Sequence, residues 1–140
     1  MAKTYDPKEF SVIVGGHIVG GYDDGTFIKA ERNEDMWTTK VGADGEGARA
    51  KSNNKSGTVE VTLLQSSGSN DVLSGFALAD ELNNGGQVPV LIKDANGTTV
   101  VSAETAWIKK MPAVEGGKEI GNRVWVLETD NLNMLVGGNL

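Results

Sequence analysis

Thr58-Val59-Glu60-Val61-Thr62-Leu63 alternates between polar and apolar side chains without a break. A β-strand turns successive side chains to opposite faces, so Val59, Val61 and Leu63 share one side and Thr58, Glu60 and Thr62 the other. One face belongs to a core and the other to a polar surface. Runs of the same texture occur at 10–14, 17–19, 26–32, 36–41, 88–93, 98–103, 105–111 and 123–129. Glycine pairs and an Asn96-Gly97 step punctuate them, which is the pattern of hairpins.

Downstream of that strand, Ser69 or Asn70 can cap one helix over about 69–84. Val72, Leu73, Phe76, Ala79 and Leu82 recur at three- and four-residue steps, predicting an apolar stripe. Asn83-Asn84-Gly85-Gly86 ends it, with glycine suited to the left-handed cap. Upstream, residues 42–57 contain no large apolar side chain. A stretch of that length has nothing with which to join a core, so it reads as an extended arm that orders against a neighbour. Asp44, Glu46, Arg49, Lys51, Asn53, Asn54 and Lys55 are its contact candidates. Seven or more short strands with one mid-chain helix predict a single mainly β domain over residues 1–140. The expected architecture is an antiparallel sandwich or partly closed barrel.

Composition narrows the chemistry. The 140 residues contain no cysteine and one histidine, and the formal net charge is -6. Disulfides and thiolate metal sites are excluded, and zinc lacks ligands in number. The turns Asp23-Asp24-Gly25 and Asp94-Ala95-Asn96-Gly97 lack the ligand alternation and distal glutamate of a calcium loop. The glycine-rich stretch at 15–21 has no lysine–hydroxyl pair and no following helix to hold a phosphate. His17 has no recognisable nucleophile or orienting partner in the sequence and reads as a turn residue or interface hydrogen-bonder. An acidic chain whose only basic doublet is Lys109-Lys110 does not clamp nucleic acid. Trp37, Trp107 and Trp125 each fall within a strand and read as core or interface packing. No apolar run reaches the ~18 residues of a membrane helix, and the first ten residues lack a signal-peptide core. No cofactor, catalytic residue or metal site is expected.

The order of elements resembles the inner tail-tube proteins of contractile-tailed phages, with relatives in contractile bacteriocins and type VI secretion. The resemblance is carried by an opening hairpin, the strand at 23–32, the arm at 42–57, and Ser56-Gly57-Thr58-Val59-Glu60-Val61-Thr62-Leu63-Leu64-Gln65 leading into the helix. Residues 123–130 fall where that family has its late strand. It implies a structural subunit, not an enzyme, whose hexameric rings stack into a hollow tube that conducts DNA. Implied partners are further copies of itself, a tail sheath protein, baseplate and tail terminator proteins, and a tape-measure protein and DNA held in the lumen without specific binding. The implied location is the virion tail, made and assembled in the host bacterial cytoplasm, with no membrane partner. Thr58, Glu60 and Thr62 then face either the lumen or the exterior. A small β-sandwich binding module is the competing reading, and it predicts clustered, exposed tryptophans. A baseplate or capsid-decoration protein is a further alternative.

Overall fold

Seven strands follow one another across a single antiparallel sheet in the order His17–Ile18 (β2), Phe10–Val14 (β1), Val88–Asp94 (β7), Val100–Lys110 (β8), Asn122–Thr129 (β9), Gly57–Leu64 (β6) and Ile28–Arg32 (β3), with Asn133–Leu135 (β10) joined to β8 at the side. The computed structural model describes residues 2–140. The remaining strands are β4 (Trp37–Val41) and β5 (Gly47–Lys51). The helix α1 spans Ser69–Asn83, and a short 3-10 turn at Pro7–Glu9 precedes β1. Strands β4 and β5 form a separate two-stranded ribbon.

β8 explains how one sheet makes two layers. Val100 to Ala106 pairs with β7, whereas Ala106 to Lys110 pairs with β9. Its first residues also carry β10 on the edge β7 leaves free. The register slips between Val88 and Val90 and again between Ile108 and Lys110, bulges of the kind that bend and twist a strand. The sheet folds over at this strand, so that Val12, Val14, Val90 and Ile92 join one core with Val59, Val61, Leu63, Trp125 and Leu127. Each such aliphatic side chain contributes about 1.5–3 kcal/mol on burial. The sheet does not close, since β2 and β3 remain its two ends. The architecture is the sandwich, not the barrel.

The quoted strand behaves as its alternation requires. Along β6 buried and half-buried residues alternate from Gly57 to Leu64, with Val59, Val61 and Leu63 inside. The runs at 98–103 and 105–111 are one eleven-residue strand, because the Glu104-Thr105 step continues extended past the bend. No side chain caps α1: its N-cap is Gly68, and Ser69 turns inward to meet Gly20 and His17 instead. At the other end Asn84, not a glycine, takes the left-handed conformation with φ 58. Leu82 does not belong to the buried stripe. Leu73 and Phe76 pack inward, while Leu82 is 85% exposed. The Asn96-Gly97 turn is organised by Asp94, whose Oδ1 accepts from both the backbone N–H and Nδ2 of Asn96 at 2.9 and 2.8 Å. Of the three tryptophans only Trp125 lies in the core.

Candidate assembly surfaces

The arm is a β-ribbon. The run at 36–41, expected as an independent strand, is its outgoing leg β4, and β5 is its return, paired from Trp37↔Lys51 to Val41↔Gly47. Every residue of both strands is exposed. The tip is a tight turn in which Gly42 N–H donates to Glu46 O at 2.8 Å and Glu46 N–H to Asp44 Oδ1 at 3.0 Å. Gly45 sits there at φ +86, a backbone state that side-chain-bearing residues rarely adopt. Arg49 lies 3.8 Å over the Trp37 ring, a cation–π contact that sequence spacing alone did not reveal.

The seven arm candidates therefore divide. Asp44 and Glu46 shape the tip, and Arg49 and Lys51 stand on the ribbon. Asn53, Asn54 and Lys55 belong to the root, where the chain re-enters the body. There Asn54 Oδ1 accepts from Ser56 N–H at 3.0 Å and Lys55 O accepts from Leu132 N–H at 2.8 Å. Arg32 Nε donates to Leu132 O at 3.0 Å, so the segment between β9 and β10 is gripped from both legs of the arm. Asn33 and Ser56 close the same joint with an N–H···O bond of 3.0 Å. Leu132 is fully buried, which its sequence context does not reveal, because one leucine between Asn131 and Asn133 shows no periodicity.

Thr58, Glu60 and Thr62 share the outward face of β6 and are half-buried. Thr58 Oγ1 donates to Asn33 Oδ1 at 3.1 Å. Glu60 is flanked by Lys29 on β3 and Val126 on β9, and Thr62 by Val124. The same side carries the Lys109–Glu128 ion pair at 3.5 Å and the Lys29–Glu31 pair at 3.8 Å. It is a mixed-charge face with no basic stripe.

Two further surfaces are exposed. A cleft of about 450 Å³ between the β1–β2 edge and the chain leading into β3 is lined by Phe10, Ile18, Val19, Tyr22 and Phe27, among others. On α1, Leu78 and Leu82 stand one turn apart in solvent. His17 Nε2 lies 2.9 Å from Ser69 Oγ, a spacing reminiscent of a base and its nucleophile. Ser69 Oγ also accepts from Gly20 N–H at 3.1 Å and the residue is 6% exposed, so this contact ties the first hairpin to the helix. The tryptophans do not cluster: Trp125 is buried in the core and Trp37 is out on the arm.

Comparison with known proteins gives concordant results. The model of the bacteriophage PhiTE tail tube protein family matches residues 11–137. Structural protein ORF10 of Pseudomonas phage KPP10 is 28% identical over 144 aligned positions, covering 97% of this chain and 83% of that protein. Among solved structures, a chain of the anti-feeding prophage tube-terminating cap superimposes with a TM-score of 0.64 at 15% identity, over 96% of this chain and 94% of that one. A chain of the sheath/tube terminator of the extracellular contractile injection system PVC, in its extended state, gives 0.66 at 14% identity, over 96% and 99%. A chain of the sheath–tube complex of the same system gives 0.65 at 15%, over 94% and 91%. At these identities the solved structures establish a shared fold.

Proposed function

This chain belongs to the bacteriophage PhiTE tail tube family, and on that premise we propose that it is the repeating subunit of a tail tube. Rings of six copies stack into a hollow tube through which DNA leaves the particle. The observation that carries this reading is the arm. A two-stranded ribbon with no buried residue is marginal in water by itself, so its order is best accounted for by a neighbour on which it lies. The ends of the sheet favour the same reading. β2 and β3 leave unpaired strand edges, a liability for an isolated domain and a joint for a ring of identical copies.

In such a ring the face bearing Thr58, Glu60 and Thr62 lines the bore or the outer wall. With Glu31, Glu60 and Glu128 against Lys29 and Lys109, it offers DNA phosphates little to grip. The arm's outer residues Asp44, Glu46, Arg49 and Lys51 bridge to the adjacent ring, and Asn53, Asn54 and Lys55 set its direction. A sheath protein would surround the tube, terminator and baseplate proteins would close its ends, and a tape-measure protein would occupy the bore during assembly.

A tube terminator is the second reading, favoured by the likeness to chains of two terminator complexes. The two make different demands on the arm: a tube subunit needs it for every ring-to-ring step, a terminator only once. Electron microscopy of the purified protein separates them. Filaments of uniform bore support the tube subunit, single rings that never elongate support the terminator, and a monodisperse monomer at high concentration overturns both.

A further inference from the structure

The side-chain amide of Asn96 ties the segment 3–9 to the turn between β7 and β8. Its Oδ1 accepts the Asp6 N–H at 2.9 Å, and its Nδ2 donates to Asp6 O at 2.9 Å and to Asp94 Oδ1 at 2.8 Å. Beside it the Ala95 N–H donates to Glu9 O at 3.0 Å. The segment is thereby strapped down, with Tyr5 edge-on to Phe10 at 6.2 Å between ring centroids. Pro7 and Lys8 of the strap form one wall of the apolar cleft.

Gly97 follows Asn96, and an Asn-Gly step is the one most open to backbone attack on the side-chain amide. Glycine has no side chain to shield its nitrogen or restrict its approach. In that reaction the Gly97 nitrogen bonds to Asn96 Cγ, the Cγ–Nδ2 bond breaks, and ammonia leaves with the proton that Gly97 gives up. Water then opens the five-membered imide at one of its two carbonyls, leaving aspartate or its backbone-shifted isomer. While the strap is docked, every atom of this step is engaged elsewhere. Asn96 Oδ1 and Nδ2 are bound to Asp6 and Asp94, and the Gly97 N–H donates to Asp94 O at 3.2 Å. The Asn96 backbone is held as well, its O accepting the Leu140 N–H at 2.9 Å.

The product has no place in the docked structure. A carboxylate at position 96 has no hydrogen to give to Asp6 O or to Asp94 Oδ1. It would also set a second negative charge at hydrogen-bond distance from the Asp94 carboxylate, a residue only 8% exposed. Like charges that close in a poorly solvated site repel strongly.

We propose that Asn96 is a self-modifying site gated by the strap: it converts only while the segment 3–9 is undocked, and conversion prevents the segment from docking again. The turn is thus a one-way latch, and a chain whose strap has stayed loose keeps its cleft open on that side. The latch is independent of the tube reading.

Two measurements test it. In wild-type chain aged at mildly alkaline pH, peptide mapping compares conversion at Asn96 in folded protein and in urea. The folded rate is expected to be at least about tenfold lower, since three hydrogen bonds must open first. Asn96→Asp writes the product into the chain from the start. Hydrogen exchange should then show protection at the Asp6 and Ala95 amides reduced by at least about tenfold, with the amides of β6 and β9 still protected. Asn96→Ala, which removes the bonds without adding charge, should fall between this variant and wild type. Equal rates of conversion in folded and unfolded chain overturn the gate. Unchanged protection at Asp6 and Ala95 in Asn96→Asp overturns the latch.

Discussion

The Trp125 indole N–H donates to Asn70 Oδ1 over 2.9 Å, joining the second residue of α1 to the middle of β9. The same amide's Nδ2 donates to Leu64 O and Ser67 O, each at 3.0 Å. One side chain thus satisfies a buried indole, the end of β6 and the turn into the helix. Asn70→Leu would strand the Trp125 N–H in the core and take one of two bonds from each carbonyl, since Leu64 O still accepts from Ser67 N–H and Ser67 O from the backbone N–H of residue 70. An unfolding free energy lower by about 2–4 kcal/mol is expected in urea titration, the sum of one unsatisfied buried donor and the lost turn bonds. Asn70→Asp keeps the indole acceptor and should fall between wild type and Asn70→Leu.

Gly57 is a second fixed point. A Cβ there would lie 2.8 Å from Leu132 Cβ and 2.9 Å from Glu31 O, closer than packed atoms approach. Gly57→Ala must push apart β3, β6 and the Leu132 segment at the arm's root. We expect thermal unfolding to reveal a loss of about 1–3 kcal/mol, and tubes that grow shorter because the arm leaves the body at an altered angle.

Removing the ribbon should have the opposite profile. Deleting 37–51 and joining the legs with two glycines takes away only exposed residues and spares the bonds of Arg32, Lys55 and Leu132. Body stability measured by calorimetry should change by no more than about 0.5 kcal/mol, as for surface changes generally. Long tubes should be absent in electron micrographs. A cut at 45–55 would be less informative, since it also removes the root hydrogen bond of Lys55.

Alkaline pH offers a test of the cleft. Burial pushes the Tyr22 phenol above its ordinary 10.0, partly offset by a backbone hydrogen bond at Val12. Its hydroxyl also donates to Val19 O at 2.9 Å. The folded state therefore favours the neutral phenol. Its stabilising contribution is complete below the unfolded value of 10.0 and is lost as pH rises from there through the higher folded value. Unfolding midpoints in urea should decline above pH 10 in wild type and decline less in Tyr22→Phe.

How far the sequence carried these conclusions depended on what each residue needs as a neighbour. β6 was legible because alternation is a local property, and Val59, Val61 and Leu63 needed only one buried side to reveal themselves. The helix was legible in extent, but Leu82 looked like core since periodicity does not say where the sheet ends beneath a helix. Its cap is not legible, because Ser69 has a long-range partner in His17, 52 residues away, that competes with the local one. The arm's polarity marks out its tip and return leg but not its first leg, as Trp37 and Val41 resemble any short strand until both faces are seen to be bare. Of the root, only Asn53, Asn54 and Lys55 are legible as part of the polar stretch; the grip of Arg32 on Leu132 is not, since the two are 100 residues apart.

That root also has a mechanical meaning. The legs of the arm enter the body at Arg32 and Gly57, the adjoining ends of β3 and β6, and both grip the strap at Leu132. β6 is registered against β9 along its full length, from Gly57↔Thr129 to Leu64↔Asn122. A pull that draws β6 out along its own axis must break all of those pairings together, whereas peeling would break them singly. Tension passed from subunit to subunit through the arms would therefore meet the body in its stiffest direction, and the strand that first announced the fold would be the one to carry the strain.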